Sequence, residues 1–143
     1  LLALLAFATV AGAAPHPEEG PPLISAHTAA NGREIGQVWR MRQRSDGVLV
    51  IATSPGLNFF DGTRFVDVAI PGDRTYDVSV RNDRLIVATA VALGEVRPDE
   101  KGVWAFNAFE RPPDAPDVGP IGRVAQHGTR SFFLSQTYFV THD

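Results

Sequence analysis

The chain has 143 residues, a formal net charge of −3 and no cysteine. That length suits about one domain. The charge leaves no electrostatic footprint for nucleic acid, and the lack of cysteine means that packing must do what disulfides do in many small exported domains.

Residues 1–14 (LLALLAFATVAGAA) are an apolar run followed by small residues. That order matches the apolar region and cleavage site of a secretory signal peptide without its basic start, residues 1–13, with the cut after Ala13. A cut after Ala14 would leave Pro15 as the first mature residue. The apolar run is ten residues long, half of the roughly 20 that a spanning helix needs, so the segment predicts export and not anchoring. A chain opening on Leu1 is expected to be a piece of a longer one. Residues 14–37, beginning with the breaker-rich APHPEEGPP, form a lead-in segment.

From Val38 onward the apolar residues come in short blocks: VWRM, VLVIAT, LNFF, RFVDVAI, YDVSV, RLIVAT and GVWAFNAF. Each is rich in Val, Ile, Phe or Trp and fenced by turn pairs such as Asp46-Gly47, Asp61-Gly62 and Pro71-Gly72, which is strand and hairpin chemistry. No helical period persists, so the fold class is all-β. In VWRMRQR, alternation places Arg40, Arg42 and Arg44 on one strand face and Trp39, Met41 and Gln43 on the other. The arginine face is expected to be solvated, with an anion site as the alternative.

DGVLVIAT at 46–53 recurs as NDRLIVAT at 82–89, an offset of 36, and again as GTRSFFLS at 128–135, a further offset of 46. The extra ten residues fall near ERPPDAPDVGP, residues 110–120, whose prolines cannot join a ladder and predict a long inserted loop. A repeat of about forty residues with four short strands is the signature of a propeller blade. Such a blade buries its two faces only against its neighbours. The expected architecture is a partial β-propeller of about two and a half four-stranded antiparallel blades after the signal peptide, with units at 38–74, 75–120 and, incomplete, 121–143. Leu49, Ile51, Leu85, Val87 and Phe133 are expected to fill the layers between blades.

The segment VWRMRQRSDGVLVIATSPGLNFFDGTRF resembles the two-component regulator propeller repeat. The matching positions are Val38, Met41, Asp46, Gly47, Leu49, Ile51, Thr53, Gly56, Leu57, Phe59 or Phe60, Asp61, Gly62 and Phe65. The preceding SAHTAANGREIGQV is similar to that family's lead-in, with Gly32 at its turn glycine. Departures are Val50 for the family's Trp, Ala52 for its Gly, and Arg33-Glu34 for its Leu-Pro. The resemblance implies a periplasmic sensor region of a bacterial receptor with a histidine kinase or diguanylate cyclase output. It also implies a small ligand of unknown identity, a homodimer formed through the complete receptor, and membrane attachment only through segments downstream.

No catalytic constellation stands out. His16, His27, His127 and His142 lack metal-ligand spacing and read as surface or turn residues. No serine sits in a nucleophile elbow, and SPGLN and IPGDR are turns and not phosphate cradles. Asp46, Asp61, Asp83 and Asp99 recur where turns need them. No metal, cofactor or catalytic residue is therefore expected in these residues. Arg74, Tyr76 and Asp77 follow the turn PGD at the start of the second unit, the place equivalent to residues 32–38. The candidate ligand-binding residues are Arg33, Glu34, Arg74 and Tyr76, on two segments expected to rim the same face. The rival readings are a secreted propeller enzyme, a lyase or glycosidase, and a non-enzymatic propeller that binds glycans or proteins.

Overall fold

A computed structural model describes residues 34–143; the candidate signal peptide, Arg33, His16, His27 and most of the lead-in lie outside the described residues. The described residues form eleven strands and no helix, and so no helix long and apolar enough to cross a membrane. The first sheet holds β1 (Val38–Gln43), β2 (Leu49–Thr53), β3 (Gly56–Phe60) and β4 (Phe65–Val68). The second holds β5 (Thr75–Arg81), β6 (Arg84–Thr89), β7 (Leu93–Pro98) and β8 (Trp104–Ala108). The third holds β9 (Arg123–His127), β10 (Arg130–Leu134) and β11 (Phe139–His142). Every pairing is antiparallel between consecutive strands, and none of the three sheets closes on itself.

Turn chemistry sets these hairpins. Asn82 and Asp83 take positive φ, 48° and 60°, between the paired Arg81 and Arg84, which is the two-residue turn whose twist matches its strands. The repeated sequence also repeats a hydrogen bond. The hydroxyl closing the second strand of each sheet donates to the carbonyl three residues on: Thr53 to Gly56 at 3.0 Å, Thr89 to Ala92 at 3.0 Å and Ser135 to Tyr138 at 3.4 Å. These three residues are related by the same offsets of 36 and 46. Residues 110–120 form the expected loop between β8 and β9, tied by Arg111 Nη2 to the carbonyls of Ala115 and Pro116.

The sheets stack in chain order. Val50, Ala52, Leu57, Phe59 and Val68 of the first meet Val78, Leu85, Val87 and Val96 of the second. On its other face the second sheet sets Ile86 and Ala88 against Ile121, Val124 and Phe133. Each buried Val, Leu, Ile or Phe side chain among them contributes about 1.5–3 kcal/mol. Leu85, Val87 and Phe133 therefore pack between sheets as the pattern predicts. In the first sheet Val50 and Ala52 do so, and alternation turns Leu49 and Ile51 to the opposite face, where Ile51 is buried.

The arginine face of β1 is not the solvated one. Trp39, Met41 and Gln43 are exposed while Arg40 and Arg42 are half-buried. Arg40 Nε donates to Asp77 Oδ1 at 2.8 Å. Arg44, just past β1, lies 4.7 Å from the Trp104 ring centre and pairs with Asp46 at 3.1 Å. Charge alone marks a face as polar, but the partners that cover it come from the second sheet, remote in sequence.

Candidate functional site

The turn at Pro71-Gly72 delivers Arg74 to the edge of the second sheet just ahead of β5. There its carbonyl accepts a hydrogen bond from Ala90 N–H at 2.9 Å, which fixes the backbone. The Arg74 guanidinium carbon lies 5.7 Å from the ring centre of Trp39 and 5.7 Å from that of Tyr76. Those two rings meet edge to face with centroids 5.8 Å apart. A guanidinium within about 6 Å of an aromatic face is attracted by the ring's electron density. Arg74 Nε is buried without a hydrogen-bond partner, so an oriented cation stands between two rings with donor capacity to spare.

Beside this group, Asp77 joins the first strands of all three sheets. Its side chain is 1% exposed and accepts from Arg40 Nε of β1 at 2.8 Å. It also accepts from its neighbour Val78 N–H at 2.9 Å and from Val124 N–H of β9 at 2.8 Å. Its role is structural, because its oxygens are occupied by the chain. Gln126 of β9 extends the seam by donating to the Ser79 carbonyl at 3.0 Å.

Of the four candidate residues, Arg74 and Tyr76 come together. Glu34 is exposed and is joined to neither by a hydrogen bond or ion pair among the described residues, and Arg33 lies outside them. The residue the candidate set lacks is Trp39, which brings β1 to the same edge. Its signal was its place on the face of β1 opposite the arginines, but alternation cannot say which face meets the start of β5.

The recurrent aspartates behave as turn residues with one addition. Asp61 accepts from Thr63 and Arg64 within its own turn, the Thr63 hydroxyl first among the bonds that hold its carboxyl well below the usual range. Asp83 reaches across to the first sheet, accepting from Ser45 Oγ at 2.6 Å and Ser45 N at 3.1 Å. His127 is exposed. His142 is half-buried and stacks on Phe109 with centroids 3.7 Å apart. Among the described residues no three His, Asp or Glu side chains converge in a way that could hold a metal ion.

Chemically the Arg74 edge suits recognition. It offers one positive charge, two aromatic surfaces and a phenol hydroxyl, the set that holds a small anion or a flat ligand with a carboxylate. No family model, curated protein or solved structure matches the chain.

Proposed function

We propose that this chain is part of an extracytoplasmic β-propeller that senses a small ligand for a bacterial signal-transduction receptor, of histidine kinase or diguanylate cyclase type. The three sheets are its successive blades. The observation that carries the reading is the seam of first strands, with β1 against β5 and β5 against β9, joined through Asp77. First strands that lie side by side while later strands fan outward are what a propeller axis requires. Side-chain size agrees, since the layer between the first two sheets runs from Val78 on β5 to Trp104 and Phe106 on β8.

Repeat position extends the argument. Val50, Ala52 and Leu57 of the first sheet face the second, and their equivalents Ile86, Ala88 and Leu93 face the third. The next equivalents by the same offsets, Phe132, Leu134 and Phe139, form a surface on which Leu134 is 50% and Phe139 66% exposed. In the propeller this face takes a further blade.

The ligand site of this reading is the Arg74 edge, where an anionic group would pair with the guanidinium between Trp39 and Tyr76. Binding would favour one arrangement of a receptor dimer, by no more than the ligand's difference in affinity between the two arrangements. The test is signalling by the receptor from the complete gene, carrying Arg74→Ala or Tyr76→Ala. Loss of the ligand response is expected. An undiminished response in a protein substituted at Arg33, Glu34, Arg74 and Tyr76 together would sink the site.

A further inference from the structure

Ladder partners identify equivalent positions on the first strands. Arg40 of β1 pairs with Ala52, Asp77 of β5 with Ala88, and Arg123 of β9 with Leu134; those three partners are spaced by the same 36 and 46 residues as the repeated phrase. At this level each first strand reaches forward into the next sheet. Arg40 Nε donates to Asp77 Oδ1 at 2.8 Å, and Asp77 Oδ2 accepts from the N–H of Val124 at 2.8 Å. Arg123 is the third member of the series and has no forward partner. It is exposed, its Nη1 donates to the carbonyl of the adjoining Gly122 at 2.7 Å, and no acid pairs with it among the described residues. Leu134 beside it is 50% exposed and Phe139, next across the ladder, is 66% exposed. Their equivalents Ala52 and Leu57, and then Ala88 and Leu93, pack against the following sheet.

A sheet laid on this face takes the Arg123 guanidinium out of water together with Leu134 and Phe139. Burying an unpaired charge is strongly unfavourable, so the covering sheet must answer it. Main-chain carbonyls answer Arg81 and Arg84, which donate to Gln126 and Thr129 from the exposed end of the β5–β6 hairpin. The level of Arg123 lies further in, where the acceptor for Arg40 is a carboxylate 1% exposed. We infer that Arg123 anchors an interface with a further sheet of the same polypeptide, and that the first strand of that sheet carries an aspartate or glutamate level with Arg123, as β5 carries Asp77 level with Arg40. The inference rests on the reading that this face takes a further blade, and it adds the chemistry by which that blade is held. The occupant is fixed by two things: the face continues the seam of β1, β5 and β9, and its one cation is complemented by an acid.

The test uses the protein expressed from its complete gene. An Asp or Glu is expected 37 to 46 residues beyond Arg123, the spacings from Arg40 to Asp77 and from Asp77 to Arg123. Main-chain hydrogen exchange across β9 and β10, followed by mass spectrometry, then reads the local stability. Arg123→Met keeps the stem and removes the charge, and it should speed that exchange by about tenfold or more, the loss of one charge-assisted hydrogen bond. Arg123→Lys, which keeps a charge, should retain most of the protection. Neutralising the acid, to Asn or Gln, should match Arg123→Met, and the two changes together should cost no more than either alone. Phe139→Asp tests the cover itself, since a charge placed in a buried layer should also speed exchange. Exchange unchanged by Phe139→Asp would mean that the face is open, and the blade reading and this inference would fall together. Faster exchange with Phe139→Asp, alongside parent-like exchange with Arg123→Met or no acid at the expected place, would overturn this inference alone and leave the blade reading standing.

Discussion

At the scale of single residues, Asp83 shows how a turn position acquires a second task. Its left-handed backbone closes the β5–β6 hairpin, and its carboxyl receives Ser45 from the first sheet. The Ser45 hydroxyl, then its N–H, then the charge of Arg44 hold the carboxyl below its usual range. A carboxyl lowered in the folded state stabilises the fold while ionised. That contribution is complete above the unfolded value of about 3.9 and disappears as pH falls through the folded value. Asp83→Asn should therefore lower the urea midpoint near pH 7, and the gap from the parent should close as pH falls below about 4. A gap that stays constant or widens on acidification would show that the carboxylate does not tie the sheets. The turn at Asn82-Asp83 was legible in the sequence, because those residue types tolerate positive φ. Its bond to Ser45 was not, because that depends on which sheets become neighbours.

At the scale of elements, the second strands β2, β6 and β10 were the most legible part, since the same phrase with its terminal hydroxyl recurs at each. The first strands carried a weaker signal. Their polar residues look like a solvated face, yet Arg40, Asp77 and Gln126 bond to one another's strands along the seam. Asp77→Ala would leave Arg40 and the Val124 N–H without their partner, so it should destabilise the protein by about 3 kcal/mol, the low end for one half of a buried pair, because Arg40 is 25% exposed. Urea unfolding measures this. A loss below about 1 kcal/mol would mean that the seam is held by packing alone. The inserted loop was legible from its prolines, but the cleft beneath it, between the second and third sheets, was not. That space arises from the separation of two sheets, which no local pattern encodes.

At the scale of the whole molecule, the short apolar blocks and their turn pairs made the all-β class and its antiparallel hairpins readable before any contact was known, and the repeats made the stacking of neighbouring sheets readable. A sheet stacked on both sides needs apolar residues on both faces, and the sequence supplies them at fixed offsets. Alternation sends the adjacent Val50 and Ile51 to opposite faces, and the stacking direction decides which of the two faces meets the second sheet. The most direct test of the propeller reading is the crystal structure of the protein expressed from its complete gene. The account predicts another antiparallel sheet packed on Phe132, Leu134 and Phe139, with its first strand beside β9 and the sheets fanning about a common axis. A structure in which that face stays open to solvent, or is covered by a helix, would contradict it.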